Sequence, residues 1–121
     1  MSMSKEAVQD RMKDKNTVLL NVLPGHEFAK LHIKGSENLT IGINPGDFVE
    51  SVEKMYGKDK FFITYCAGAN CDAGSNAAKA LREKGFKADD YYGGMQNWME
   101  SGFPVEGTDP AIAVAGSSES H

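Results

Sequence analysis

At 121 residues and 13.1 kDa the chain has the size of one domain, long enough to bury roughly two-thirds of its unfolded surface. Hydrophobic residues make up 40% and charged residues 25%, a balance that excludes a disordered, collagen-like or coiled-coil chain. The net charge of −4 argues against a nucleic-acid partner, and no apolar run approaches the ~18 residues of a bilayer crossing.

Ser4 ahead of residues 5–12 predicts a short capped helix with Val8 and Met12 on one face. Residues 17–22 form a continuous, β-rich apolar run, which suits a strand covered on both sides, as in a parallel sheet. Pro24 and Gly25 interrupt it, and 26–31 suit a brief helix with His26 on the exposed side. A weaker strand is predicted over 36–41. Pro45 opens a helix through Met55, with Phe48, Val49, Val52 and Met55 as its apolar stripe. Residues 60–66 are the clearest strand, and 67–74 are small and polar, as in a loop. Ser75 is the expected cap of a helix over 76–84 with Ala77, Ala78 and Leu81 inward, and Gly85 with Phe86 a fitting terminator. A short strand over 90–92, a turn at Gly93 and Gly94, and a last helix over 95–101 anchored by Trp98 complete the pattern. The domain is placed at 4–107, and 108–121, small and polar, as a flexible tail. No internal repeat is present.

Strands alternating with helices predict a parallel α/β sheet. In such sheets ligands bind beyond the carboxyl ends of the strands. The positions to inspect follow Val22, Ile41, Cys66 and Tyr92, and only one of these ends carries a nucleophile. Cys66 closes the most apolar strand and opens a loop of Ala67, Gly68, Ala69, Asn70, Cys71, Asp72, Ala73 and Gly74 before Ser75. Small residues let this backbone curl with its amides inward, and the following helix adds the positive end of its dipole. A thiol so placed ionises more easily, and the thiolate is the reactive form. The plainer reading is a cysteine packed as a small hydrophobe.

Two cysteines are too few for a disulfide scaffold, and residues 1–10 lack the apolar core of a signal peptide, so a cytoplasmic setting is expected. Cys71 reads either as a thiol that resolves an oxidised or persulfidated Cys66 or as a loop residue turned into the packing. No metal site is expected, because two cysteines without a neighbouring histidine cannot supply four ligands, and no cofactor is called for. His32 reads as a core histidine bonded to backbone. Gly93 and Gly94 serve either as a pure turn or as a close approach to the pocket rim. Tyr91 and Tyr92 should divide between core and rim.

The chain resembles a single rhodanese domain. The resemblance rests on Val18 to Val22, His26 to Ala29 and Leu31 to Leu39 in the first half. In the second half it rests on Phe62 to Cys66, Ala77 to Leu81, Gly85-Phe86, Gly93-Gly94-Met95 with Trp98, and Gly102 to Val105. It implies a three-layer α/β fold with a mainly parallel central sheet flanked by helices. It also implies a sulfurtransferase in which Cys66 takes a sulfane sulfur from a small donor such as thiosulfate and passes it to a thiophilic acceptor, a small molecule or an acceptor protein. The chain departs from the family pattern in carrying Asn21 and Leu23 where an acidic and a basic residue are usual. Its active loop is also longer, free of arginine, and contains Cys71 and Asp72. Only Arg11 and Arg82 occur in the chain beside eleven lysines, so backbone amides are left to hold an anionic donor. A silent module acting as persulfide carrier, redox sensor or partner-binding domain is the alternative function. A phosphatase or arsenate reductase of this fold needs Cys-x5-Arg, and Asp72 stands at that position.

Overall fold

Four parallel strands carry the fold. The computed structural model describes residues 2–42, 44–68 and 71–108. In chain order come α1 (Lys5–Arg11), β1 (Thr17–Asn21), α2 (Gly25–Lys30), β2 (His32–Ile33), β3 (Glu37–Asn38) and α3 (Pro45–Tyr56). They are followed by β4 (Phe61–Tyr65), α4 (Ala73–Glu83), β5 (Lys87–Asp90), α5 (Gly94–Glu100) and β6 (Val105–Glu106). The sheet order is β3-β1-β4-β5, all parallel, with Val18 opposite Phe62 and Ile63 opposite Asp89. Successive side chains on a strand point to opposite faces. Val18, Leu20, Phe62 and Cys66 accordingly meet α3 and α4 through Phe48, Val49, Val52, Ala77 and Leu81. Leu19, Ile63 and Tyr65 meet α1 and α5 through Val8, Met95 and Trp98 on the other side. This is the three-layer arrangement the resemblance implies, and burial of both faces explains why the two central strands read as unbroken apolar runs. Each such side chain contributes about 1.5–3 kcal/mol by leaving water.

Local signals hold where their chemistry is local. The Ser4 hydroxyl accepts from the Ala7 amide at 3.1 Å, capping α1. After α4, Gly85 takes φ 88° and the Phe86 amide reaches back to the Leu81 carbonyl at 3.0 Å, the hydrogen bond that closes a glycine-terminated helix.

Four expectations are corrected, and one strand pair is added to them. The strand expected at 90–92 runs over Lys87–Asp90 instead, because pairing with β4 outweighs the weak strand preference of Lys-Ala-Asp-Asp. Tyr91 and Tyr92 follow it, the first buried and the second 48% exposed. Helix α4 starts at Ala73 with Asp72 in the capping position, and Ser75 lies inside its first turn. Met55 is 57% exposed, while α3 runs one residue further to Tyr56, whose ring packs edge-on to Phe62. The strand expected over 36–41 shrinks to Glu37–Asn38. Finally, β2 and β6 form an antiparallel pair, with Ile33 opposite Val105, that two-residue strands gave no means to foresee. From residue 109 on, the segment expected as a tail lies outside the described residues, and no helix among those described is long and apolar enough to cross a membrane.

Candidate functional site

Strand β4 stops at Tyr65, and Cys66 is the first residue beyond its carboxyl end, 3% exposed on the α3/α4 side. Three contacts fix where the chain goes next. The buried Thr64 hydroxyl donates to the Gly74 carbonyl at 2.6 Å. The Ser75 hydroxyl donates to Asp90 Oδ2 at 3.1 Å. Gly74 lies flat on the strand end, where an added Cβ would meet Tyr65 Cα at 3.1 Å. Together they bring the start of α4 back over the end of β4. The Asp72 side chain makes no capping hydrogen bond there, so the first-turn amides and the positive end of the dipole face the loop.

The loop is held on its other side by α5. The Met95 amide donates to the Cys66 carbonyl and the Gln96 amide to the Ala67 carbonyl, both at 2.9 Å. Gly94 makes that approach possible: its φ is 62°, and a Cβ there would stand 2.6 Å from the Cys66 carbonyl oxygen and 2.9 Å from the Gly68 nitrogen. Of the two readings offered for the glycine pair, Gly94 is a close approach to the loop, and Gly93 precedes α5 in the capping position.

Within the loop, the Cys71 amide donates to the Gly68 carbonyl at 3.0 Å. The sulfurs of Cys66 and Cys71 are bonded to each other, with their Cα atoms 6.3 Å apart. Cys66 Sγ also lies 3.2 Å from the Cys71 carbonyl oxygen, just before the capping residue of α4. Cys71 packs half-buried against the same core face as Cys66, while Asp72 is exposed. Ala69 and Asn70 fall outside the described residues.

Tyr65, one position before Cys66, points to the opposite face and organises the support beneath the site. Its hydroxyl accepts from the Asn21 side-chain amide and the Ile33 backbone amide, each at 3.0 Å, and lies 2.8 Å from the Ser36 hydroxyl. Burial, chiefly, holds this phenol above its ordinary pKa, so it stays neutral. Asn21 in turn accepts from the Leu23 amide at 2.9 Å. The asparagine that departs from the family pattern is thus a donor to a buried tyrosine, a task an ionised carboxylate cannot perform.

Neither arginine serves the loop. Arg11 lies over the Phe61 ring at 4.1 Å, and Arg82 donates to the Ala88 carbonyl at 3.1 Å. What the sequence did not reveal is a cleft of about 250 Å³ beside the loop, bordered by Ala67 and walled by Leu23, Leu31, Met95 and Met99. Lys30 and Glu27 line it as well. No local pattern could have shown this, because Lys30 and Ala67 come to one cleft only through the tertiary fold. A larger cleft of about 500 Å³ lies between α1 and Trp98, and the loop takes no part in it. His32 behaves as a structural residue: Nδ1–H donates to the Phe28 carbonyl at 2.7 Å and the ring stacks on Phe28. No metal-ligand cluster occurs among the described residues.

Fold and site together define a three-layer parallel α/β domain with a cysteine at the carboxyl end of a central strand. The Rhodanese-like domain family model matches residues 4–101, and the chain belongs to that family. A protein from Bacillus halodurans has a TM-score of 0.76 at 24% identity, covering 88% of this chain and 77% of its own. The rhodanese-like domain of an Anabaena protein has a TM-score of 0.72 at 23% identity, covering 88% and 78%. A rhodanese-related protein from Thermoplasma volcanium has a TM-score of 0.66 at 23% identity, covering 87% and 96%. At these identities the likeness is one of fold. No curated protein matches the chain.

Proposed function

We propose that the chain is a sulfurtransferase working through a persulfide on Cys66. The observation that carries the reading is the position of this sulfur at the end of β4, beside the uncapped start of α4, in a chain of the rhodanese-like family. In the reduced protein the Cys66 thiolate attacks the outer sulfur of thiosulfate or a similar donor. The donor's sulfur–sulfur bond breaks and sulfite leaves. A nucleophilic acceptor then takes the outer sulfur of the persulfide and returns Cys66 to the thiolate. The positive end of the α4 dipole favours negative charge on sulfur throughout. The cleft beside Ala67, with its apolar walls and Lys30, offers the approach for a small acceptor or for an acceptor protein. A reducing compartment, the cytoplasm, suits this cycle, because the bonded pair must be opened before Cys66 can attack.

Reduction should therefore switch activity on. Protein treated with dithiothreitol and freed of it should convert thiosulfate and cyanide to thiocyanate, the untreated disulfide form should be inert, and Cys66→Ser should stay at background after reduction. Equal activity in Cys66→Ser would remove this cysteine from the chemistry. Inactivity of the reduced protein with every sulfane donor tried would favour a silent carrier or partner-binding module, for which the absence of arginine from the loop speaks.

Ala67 is exposed at the border of the cleft, and arginine there would add the missing cation. A charge-assisted hydrogen bond contributes about 1.5–3 kcal/mol, so Ala67→Arg should lower KM for thiosulfate about tenfold or more with little change in kcat, as expected of uniform binding. Steady-state kinetics checks this, and a fall in kcat without tighter binding would place the donor elsewhere.

A further inference from the structure

We propose a second activity for the cysteine loop: with its two thiols the protein reduces sulfane sulfur to hydrosulfide, Cys71 discharging the Cys66 persulfide from within. The inference rests on the reading of Cys66 as a persulfide carrier and adds the fate of the sulfur when no acceptor intervenes.

The geometry supplies the resolving thiol already in place. The two sulfurs are bonded and their Cα atoms stand 6.3 Å apart, inside the ~4.4–6.8 Å span that disulfides use. Attack on the inner sulfur of a Cys66 persulfide needs the same approach as forming that bond. The hydrogen bond from the Cys71 amide to the Gly68 carbonyl, and the packing of Cys71 against the core face that holds Cys66, maintain the approach. Cys66 is 3% exposed with Cys71 bonded to it, so Cys71 is the thiol already at its sulfur. The chain has no other cysteine, which makes the pair a closed two-electron unit.

The steps balance. The Cys66 thiolate takes the outer sulfur of thiosulfate, releasing sulfite and leaving the persulfide anion. The Cys71 sulfur then attacks Cys66 Sγ, the bond from Cys66 Sγ to the outer sulfur breaks, and that sulfur departs with the Cys71 proton as hydrosulfide. The sulfane sulfur gains two electrons, and each cysteine sulfur gives up one to the new disulfide. A dithiol reductant, small or protein-borne, restores both thiols by ordinary exchange and is consumed one per turnover.

The test is a single turnover without oxygen, cyanide or added thiol. Reduced wild-type protein is mixed in parallel with thiosulfate and with glutathione persulfide, and hydrosulfide, free thiols and intact mass are followed. The expected result is one hydrosulfide released per chain, loss of both thiols, and a final mass lighter by two hydrogens. Cys71→Ser should instead stop at the persulfide, heavier by one sulfur, with no hydrosulfide above the protein-free control. If wild-type protein itself keeps the extra sulfur with Cys71 free, the internal discharge is overturned and the sulfurtransferase reading stands. If neither wild-type protein nor Cys71→Ser acquires sulfur or releases hydrosulfide from either donor, the persulfide reading fails and this inference falls with it.

Discussion

Gly94→Ala is expected to abolish sulfur transfer and to lower the stability of the fold by about 2–5 kcal/mol. Two costs combine. A left-handed backbone costs a residue with Cβ about 1–2 kcal/mol, and overpacking adds typically 1–3 kcal/mol. The added methyl would stand 2.6 Å from the Cys66 carbonyl oxygen and 2.9 Å from the Gly68 nitrogen. Neither atom can yield without moving the loop, because the Met95 and Gln96 amides hold the Cys66 and Ala67 carbonyls on this same turn. The relief available to the protein is to push the cysteine loop off α5, which displaces Cys66 from the start of α4. Gly85→Ala is the matched control, since Gly85 has φ 88° with nothing within 4 Å of its added Cβ. It should pay the backbone cost alone and keep its sulfur transfer. Urea unfolding and the thiocyanate assay on both variants decide the matter. Transfer surviving in Gly94→Ala would mean that the loop works without its seat on α5.

Tyr65→Phe should cost about 2–4 kcal/mol without any cavity being made. The hydroxyl is shared by the Asn21 side-chain amide, the Ile33 backbone amide and the Ser36 hydroxyl. Phenylalanine strands these groups in the interior, and each buried polar group left without a partner costs about 1–3 kcal/mol. Ser36 keeps its bond to the Ile33 carbonyl at 2.6 Å, so the Asn21 and Ile33 amides bear most of the loss. Asn21→Asp removes the side-chain donor and buries a carboxylate at a position that is 0% exposed, so it should be destabilising as well. Denaturant midpoints at constant slope measure both changes. A shift below about 0.5 kcal/mol in Tyr65→Phe, the scale of an ordinary surface substitution, would show that water replaces the hydroxyl.

Much of this architecture is legible in the sequence, and the legible parts share one property: their signals are local. The unbroken apolar runs around Leu19 and Ile63 announced strands buried on both faces, and both strands lie at the centre of the parallel sheet. Ser4 ahead of α1 and Gly85 with Phe86 after α4 are chemical punctuation that acts within a few residues. Cys66 was legible for the same reason, as a nucleophilic residue at the end of the most apolar strand, where parallel sheets bind ligands. The proximity of Cys66 and Cys71 was legible too, as one of two readings, since only four residues separate them.

What failed or stayed open depended on residues distant in sequence. Lys87–Asp90 is a strand because β4 lies beside it, although its own composition argues against one. Tyr91 is buried and Tyr92 exposed only because the chain leaves the sheet at Asp90. Serine at 75 resembles a helix cap in isolation, yet its hydroxyl is claimed by Asp90 from the neighbouring strand, and Asp72 takes the capping position. The sequence by itself determined the parallel α/β class, the strands buried on both faces and the place of Cys66 at a strand's carboxyl end, because periodicity and turn chemistry are properties of adjacent residues. Only the tertiary structure decided that Gly94 seats the cysteine loop, that Asn21 serves Tyr65, and that Lys30 shares a cleft with Ala67. Such contacts join elements far apart in the chain, and it is the packing of helices on the sheet that brings them within a few ångströms.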